Sequence, residues 1–139
     1  SKLSYKKFDL SFSGRANIGN YMFDNVNAEN GVYERLYRPE GPYLANIVPA
    51  VYDVDFTSPQ YLSDYYIKNA SFFKMDYIAL SYLVGNLYKN TANLRLSFTV
   101  NNAFTITKYE GIDPEIFSGI DNRVYPRPRV FALGVNVLF

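Results

Sequence analysis

Cysteine, histidine and tryptophan are all absent from the 139 residues, and each absence closes off a kind of chemistry. Without cysteine there is no disulfide scaffold, no thiolate zinc site and no thiol nucleophile. Without histidine there is no Ser-His-Asp triad, no imidazole general base and none of the commonest metal ligand. Charge is sparse as well, at 19% of residues against about 25% in an ordinary soluble domain. A net charge of +1 offers no overall attraction for nucleic acid. No stretch approaches the ~18 consecutive apolar residues of a membrane-crossing helix. The polar opening Ser1-Lys2-Leu3-Ser4-Tyr5-Lys6-Lys7-Phe8 does not read as a signal peptide. Internal repeats and low-complexity segments are lacking too. Nothing in the spacing of the carboxylates selects an acid–base pair, so the chain is expected to be no enzyme and to carry no cofactor and no metal.

What is plentiful is apolar and aromatic surface: 48% hydrophobic residues, including 14 Tyr and 11 Phe. That is too much to leave disordered, and it is set out with period two. Phe8, Leu10, Phe12, Gly14, Ala16 and Ile18 alternate with Asp9, Ser11, Ser13, Arg15, Asn17 and Gly19. Leu94, Leu96, Phe98 and Val100 alternate with Arg95, Ser97, Thr99 and Asn101, and Phe131, Leu133, Val135, Val137 and Phe139 with Ala132, Gly134, Asn136 and Leu138. Such alternation gives a strand one apolar and one polar face. Between these runs, Phe73 and Met75 keep one phase while Ile78, Leu80 and Tyr82 keep the other. A single extra residue at Asp76–Tyr77, a β-bulge, reconciles them. Four antiparallel strands are expected, at about 5–21, 70–84, 92–108 and 129–139 of an all-β chain.

Three of these strands run to about fifteen residues, whereas soluble strands cluster at about 5–6. Tilted strands of 9 or more residues with apolar-out, polar-in alternation are what a bilayer demands. Aromatics at the ends of the runs (Tyr5, Tyr21, Phe72, Tyr82, Phe104 and Tyr109) fit the two girdles of a membrane barrel, or cross-strand packing in a soluble sheet. The connections alternate long (22–69), short (85–90) and long (109–128), as when one rim of a barrel faces outward. Four strands cannot close a barrel, which needs about eight, and lipid forbids an open edge. The chain is therefore expected to be either a fragment of a larger transmembrane β-barrel or an oligomer contributing staves, in both cases with two long outer loops. The rival is a soluble all-β carbohydrate-binding module.

Three stretches carry a resemblance. The first is Asn69-Ala70-Ser71-Phe72-Phe73-Lys74-Met75-Asp76-Tyr77-Ile78-Ala79-Leu80-Ser81-Tyr82. The second is Asn101-Asn102-Ala103-Phe104-Thr105-Ile106-Thr107-Lys108-Tyr109-Glu110-Gly111-Ile112-Asp113-Pro114-Glu115. The third is Gly119-Ile120-Asp121-Asn122-Arg123-Val124-Tyr125-Pro126-Arg127-Pro128-Arg129, followed by an alternating strand to Phe139. In order and spacing they resemble the closing segments of SusC/RagA-type TonB-linked outer-membrane receptors; the first 65 or so residues agree in strand pattern alone. The resemblance implies that the chain is the C-terminal antiparallel strands of a large transmembrane β-barrel in the bacterial outer membrane of Bacteroidetes, part of an importer of oligosaccharides or peptides. It implies as partners the rest of the barrel and its plug domain, a SusD-like surface lipoprotein, the TonB complex, reached through parts outside this chain, and the barrel-assembly machinery. It also implies that Phe139 is the barrel-assembly signal; an ordinary hydrophobic terminus is the alternative.

Candidate residues follow. Tyr33, Tyr37, Tyr43, Tyr52, Tyr61, Tyr65 and Tyr66 crowd the 22–69 loop among Pro39, Pro42, Pro49 and Pro59. Tyrosine offers a ring face and a hydroxyl to a sugar or peptide, and these residues either bind substrate or pack the loop on itself or on the lipoprotein. Asp53 and Asp55 form a DxD pair that could hold a hard cation through carboxylate oxygens, a weak signal without further ligands in sequence, and Glu34 and Arg38 read as solvated charges. In the last loop, Tyr125-Pro126-Arg127-Pro128-Arg129 stiffens the approach to the final strand. Arg127 and Arg129 are placed to pair with Asp113, Glu115 or Asp121, locking the loop or touching substrate. Asp9, Arg15, Arg95 and Asn136 on the polar faces would look into the lumen, bracing the plug or lining the route. Asn69-Ala70-Ser71 matches a glycosylation pattern by coincidence.

Overall fold

The computed structural model describes residues 1–37, 44–45, 47–86, 92–122 and 124–138. Seven strands occur in chain order: β1 (Lys2–Tyr5), β2 (Phe8–Asn17), β3 (Tyr21–Phe23), β4 (Ile67–Asn69), β5 (Phe72–Asn86), β6 (Asn93–Thr107) and β7 (Val130–Leu138). They divide between two compact units. Ser1–Asn17, Phe72–Thr107 and Arg127–Phe139 make a sheet unit, and Ile18–Ser71 with Lys108–Pro126 make a loop unit. Among the described residues no helix is long and apolar enough to cross a membrane.

The sheet unit is a single antiparallel sheet in the order β1-β2-β5-β6-β7. Its strands form where the period-two runs lie, with one difference. The run expected over 5–21 is three elements. Lys6 takes a left-handed φ of 53° and turns the chain between β1 and β2, with Tyr5 opposite Phe8. Gly19, at φ 85°, separates β2 from β3; glycine reaches that conformation without a Cβ penalty.

Asp76 is the extra residue of the bulge. Ser13 pairs with Tyr77 and Gly14 with Met75, leaving Asp76 without a partner position on β2. On the other side, Tyr77 pairs with Asn101 and Met75 with Phe104, so Asn102 (φ 51°) and Ala103 answer Asp76. The slip keeps the apolar phase of β5 on one face from Phe73 to Tyr82 although its sequence changes parity. Asn102 also fastens β7, its Nδ2 donating to the carbonyls of Arg127 (2.8 Å) and Pro128 (3.4 Å). Those carbonyls lie just before β7, so the side-chain amide ties the approach to that strand to the bulge.

The two stretches expected as separate long loops fold together as the loop unit. β3 is its centre: it pairs with β4 on one side and bridges Ile120 on the other. Phe23 N donates to the Gly119 carbonyl (2.8 Å) and Asp121 N to the Phe23 carbonyl (2.9 Å). Met22, Ala70 and Tyr109 form a buried cluster, with Ile116 packed on it. A short helix, α1 (Asn25–Asn30), starts at Asp24, whose carboxylate accepts from Asn27 N at 3.0 Å. That is an N-cap in the usual sense. Further 3₁₀ turns occur at Tyr33–Arg35, Pro49–Asp53 and Asp64–Tyr66.

Candidate functional site

Cross-strand register puts the apolar residues of the main sheet on one face. Leu10 lies opposite Leu80, Leu80 opposite Phe98, and Phe98 opposite Leu133. Such a face normally packs on a second layer, but within the sheet unit none of the described residues provides one. Phe98 is 42%, Leu80 44% and Leu133 85% exposed. Rings pair near both ends of this face: Phe8 with Tyr82 (4.7 Å) and Phe73 with Phe104 (6.2 Å). These replace two of the expected girdle residues, because Tyr109 is buried in the loop unit and Phe72 is buried as well. From Phe73 to Tyr82 the strand advances about 30 Å. At a tilt of roughly 40° this is about 23 Å of height, close to the ~25 Å apolar band of an outer-membrane barrel.

The opposite face is polar and internally paired. Arg95 Nη1 meets Asp9 Oδ2 at 2.6 Å, and Ser4 donates to the same carboxyl group at 2.6 Å. Arg15 lies 3.3 Å from Asp76, so the bulge that corrects the phase also supplies an acid for β2. Lys74 is buried at 4% exposure. The chain's near-zero net charge hides a division. The sheet unit holds nine Lys and Arg against two carboxylates, and the loop unit five against eleven.

In the loop unit the Tyr109 hydroxyl donates to Asp121 Oδ2 at 2.7 Å, both groups being buried. Burial first, then that bond, raises the phenol far above its ordinary range, so Tyr109 stays a neutral donor. Gly111 is required beside it, since a Cβ there would strike the Tyr109 ring and the Asp121 carboxylate. Asp113 Oδ1 accepts from Glu115 N at 2.9 Å, an Asx-type turn around Pro114. Arg127 and Arg129, which belong to the sheet unit, are exposed, and Tyr125 is 86% exposed. Sequence reasoning missed Asn102 and the Tyr109 partner of Asp121. The signal was the glycine two residues after Tyr109, which marks a close approach.

The tyrosines of the 22–69 stretch do different things. Tyr65 packs edge-on to Tyr66 (5.2 Å) and Phe56 (6.1 Å), and Tyr66 also meets Phe23 (6.2 Å). Burial raises the Tyr66 hydroxyl too, with Tyr65 and Asp24 adding to it. Tyr33, Tyr37, Tyr52 and Tyr61 are exposed, and no ring pair among the described residues joins them. Tyr43, Arg38, Pro39, Pro42 and Phe139 lie outside the described residues. A cavity of about 210 Å³ opens in this unit, lined by Asp24, Lys68, Asn69, Lys108, Tyr109 and Glu110. The Tyr65 ring lies 4.3 Å under the Lys68 ammonium, which ties the aromatic cluster to the cavity wall. With two ammonium groups, two carboxylates and an amide, the cavity can meet hydroxyl-rich or zwitterionic molecules. Asp53 and Asp55 are exposed, and no group of three or more metal-ligating residues gathers among the described residues.

Long antiparallel strands, one uncovered apolar face and short and long connections in alternation define a stretch of β-barrel wall. No protein-family model matches the chain. It is 40% identical over 144 aligned residues to the TonB-dependent receptor SusC of Bacteroides thetaiotaomicron, an alignment that takes in the whole chain and 14% of that protein. Solved structures of the RagAB peptide importer share the fold at 22% identity. The "open-open" state covers 98% of the chain at a TM-score of 0.73, and the "closed-closed" state 95% at 0.68; the chain spans 16% of each of those chains. The chain is a segment of a SusC/RagA-like TonB-dependent receptor.

Proposed function

We propose that this chain forms wall and outer loops of a TonB-dependent importer of oligosaccharides or peptides in the bacterial outer membrane. The observation that carries the reading is the uncovered apolar face, ringed at both ends and about one bilayer's apolar band tall. A soluble carbohydrate-binding module would bury such a face against a second sheet. Support comes also from the relatives, a TonB-dependent receptor and a peptide importer rather than enzymes. In this reading the polar face with its Asp9–Arg95 and Arg15–Asp76 pairs looks into the lumen and braces the plug. The loop unit meets a SusD-like lipoprotein and incoming substrate, with the Lys68–Asp24 cavity and the exposed tyrosines as the polar contacts. Asp113, Asp121, Tyr125, Arg127 and Arg129 hold the last loop in shape. Phe139 serves the barrel-assembly machinery, and the TonB complex acts through other parts of the receptor.

Fractionation of cells with an antibody against residues 109–128 tests this. The expected result is an outer-membrane band far heavier than 16.0 kDa, and loss of growth on one oligosaccharide or peptide source when the gene is deleted. A soluble band near 16.0 kDa contradicts it.

A further inference from the structure

The short-turn end of the sheet concentrates cations beside lipid-facing aromatics. Register puts Leu3 and Tyr5 of β1 on the apolar face with Leu10 and Phe8, and Phe8 beside Tyr82. Tyr5 is 71% and Leu3 61% exposed. The positive φ at Lys6 turns its side chain back, so that its ammonium lies 5.4 Å from the Tyr5 ring centroid. Lys7 donates to the Val84 carbonyl at 3.4 Å, and its own carbonyl accepts from Leu83 N at 2.8 Å. That contact holds its ammonium over β5 and leaves two of its three N–H donors. The two carboxylates of the sheet unit, Asp9 and Asp76, are both paired with arginines on the polar face. Within the sheet unit, therefore, no acid among the described residues meets the cations of this turn on the apolar side.

We infer that the Lys6–Lys7 turn, with Tyr5, Phe8 and Tyr82, binds the phosphate of an anionic phospholipid whose acyl chains lie along Leu3, Tyr5 and Phe8. The inference rests on the proposed membrane-wall reading. An ammonium held over an interfacial ring stands at headgroup depth, and each such charge attracts anionic lipid by about fivefold in local affinity. The strand surface below offers the apolar contact that a free phosphate would not use, which assigns the site to lipid rather than to a soluble anion.

The test uses the full-length receptor reconstituted in phosphatidylcholine vesicles containing trace spin-labelled phosphatidylglycerol or phosphatidylcholine. Electron paramagnetic resonance then reads the motionally restricted, protein-bound fraction of each. Wild type is expected to favour phosphatidylglycerol. The Lys6→Gln/Lys7→Gln variant is expected to lose most of that preference, a drop on the order of tenfold or more at the site. Lys6→Arg/Lys7→Arg should keep it, and Lys2→Gln, on the polar face, should leave it unchanged. Unaltered preference in the glutamine variant overturns the inference, as does an equal loss in Lys2→Gln. Absence of a restricted component for either lipid would instead overturn the membrane-wall reading itself.

Discussion

The Tyr109 hydroxyl and the Asp121 carboxylate are a buried pair of the loop unit, joined by a hydrogen bond of 2.7 Å. Tyr109→Phe removes the donor and leaves a carboxylate out of water. The expected cost is about 1.5–3 kcal/mol of loop-unit stability, seen as faster hydrogen exchange and proteolysis within 108–126. The pH dependence has a definite sign. A phenol whose folded pKa is raised contributes stability that is whole below its ordinary value of about 10 and is lost as pH climbs above it. Protection of 108–126 should therefore be flat through neutrality and fall in strong alkali, and Tyr109→Phe should flatten that alkaline fall. Gly111→Ala tests the same pair by volume. Its methyl must displace the Tyr109 ring or the Asp121 carboxylate, at about 1–3 kcal/mol, and an unchanged exchange rate would refute the close approach.

Among the elements, β6 and β7 show how one face can tolerate what the other does not. Leu96 and Val135 are direct partners on the apolar face. Arginine at either should cost about 2–4 kcal/mol near mid-bilayer, measured by denaturant unfolding of the full-length receptor in vesicles. Arginine at Ser97 or Asn136 should be mild, and equal damage on both faces would defeat the assignment. These faces were legible in the sequence because a strand's phase is written in every second residue, and even the slip at Asp76 shows as a change of parity. The loop unit was not legible. Tyr21-Met22-Phe23 and Ile67-Lys68-Asn69 are too short to display a period, and their pairing joins residues far apart in the chain. Asp121 was read from the sequence as a partner for Arg127 or Arg129, because charge alone pointed to arginines. Only the fold of 108–126 brings Tyr109 within 2.7 Å.

For the whole molecule, the division of charge matters more than the sum. Within the basic sheet unit, Lys6 and Lys7 stand at the turn proposed to meet anionic lipid, while an acidic loop unit suits a surface that stays hydrated and selects basic or polar company. Salt should therefore weaken ligand or partner capture by the loop unit, through screening over a Debye length of about 8–10 Å. It should leave the insertion of the sheet largely untouched. The resemblance to the closing segments of SusC/RagA-type receptors, legible from residue 69 onward, extends in the alignment to SusC over the entire chain. The first part lacked a readable motif because its β1–β2 hairpin is specified by alternation alone.

The most direct test of the central claim is residue-by-residue accessibility along β6. The chain contains no cysteine, so single cysteines can be placed at 95 through 100 in a cysteine-free full-length receptor, spin-labelled and reconstituted in bilayers. Oxygen, which concentrates in lipid, should relax labels at Leu96, Phe98 and Val100 most strongly. A water-soluble nickel chelate should favour Arg95, Ser97 and Thr99, giving two profiles of period two in opposite phase. Equal access of the chelate to both sets, with no alternation in oxygen, would show that the apolar face of this sheet does not meet a membrane.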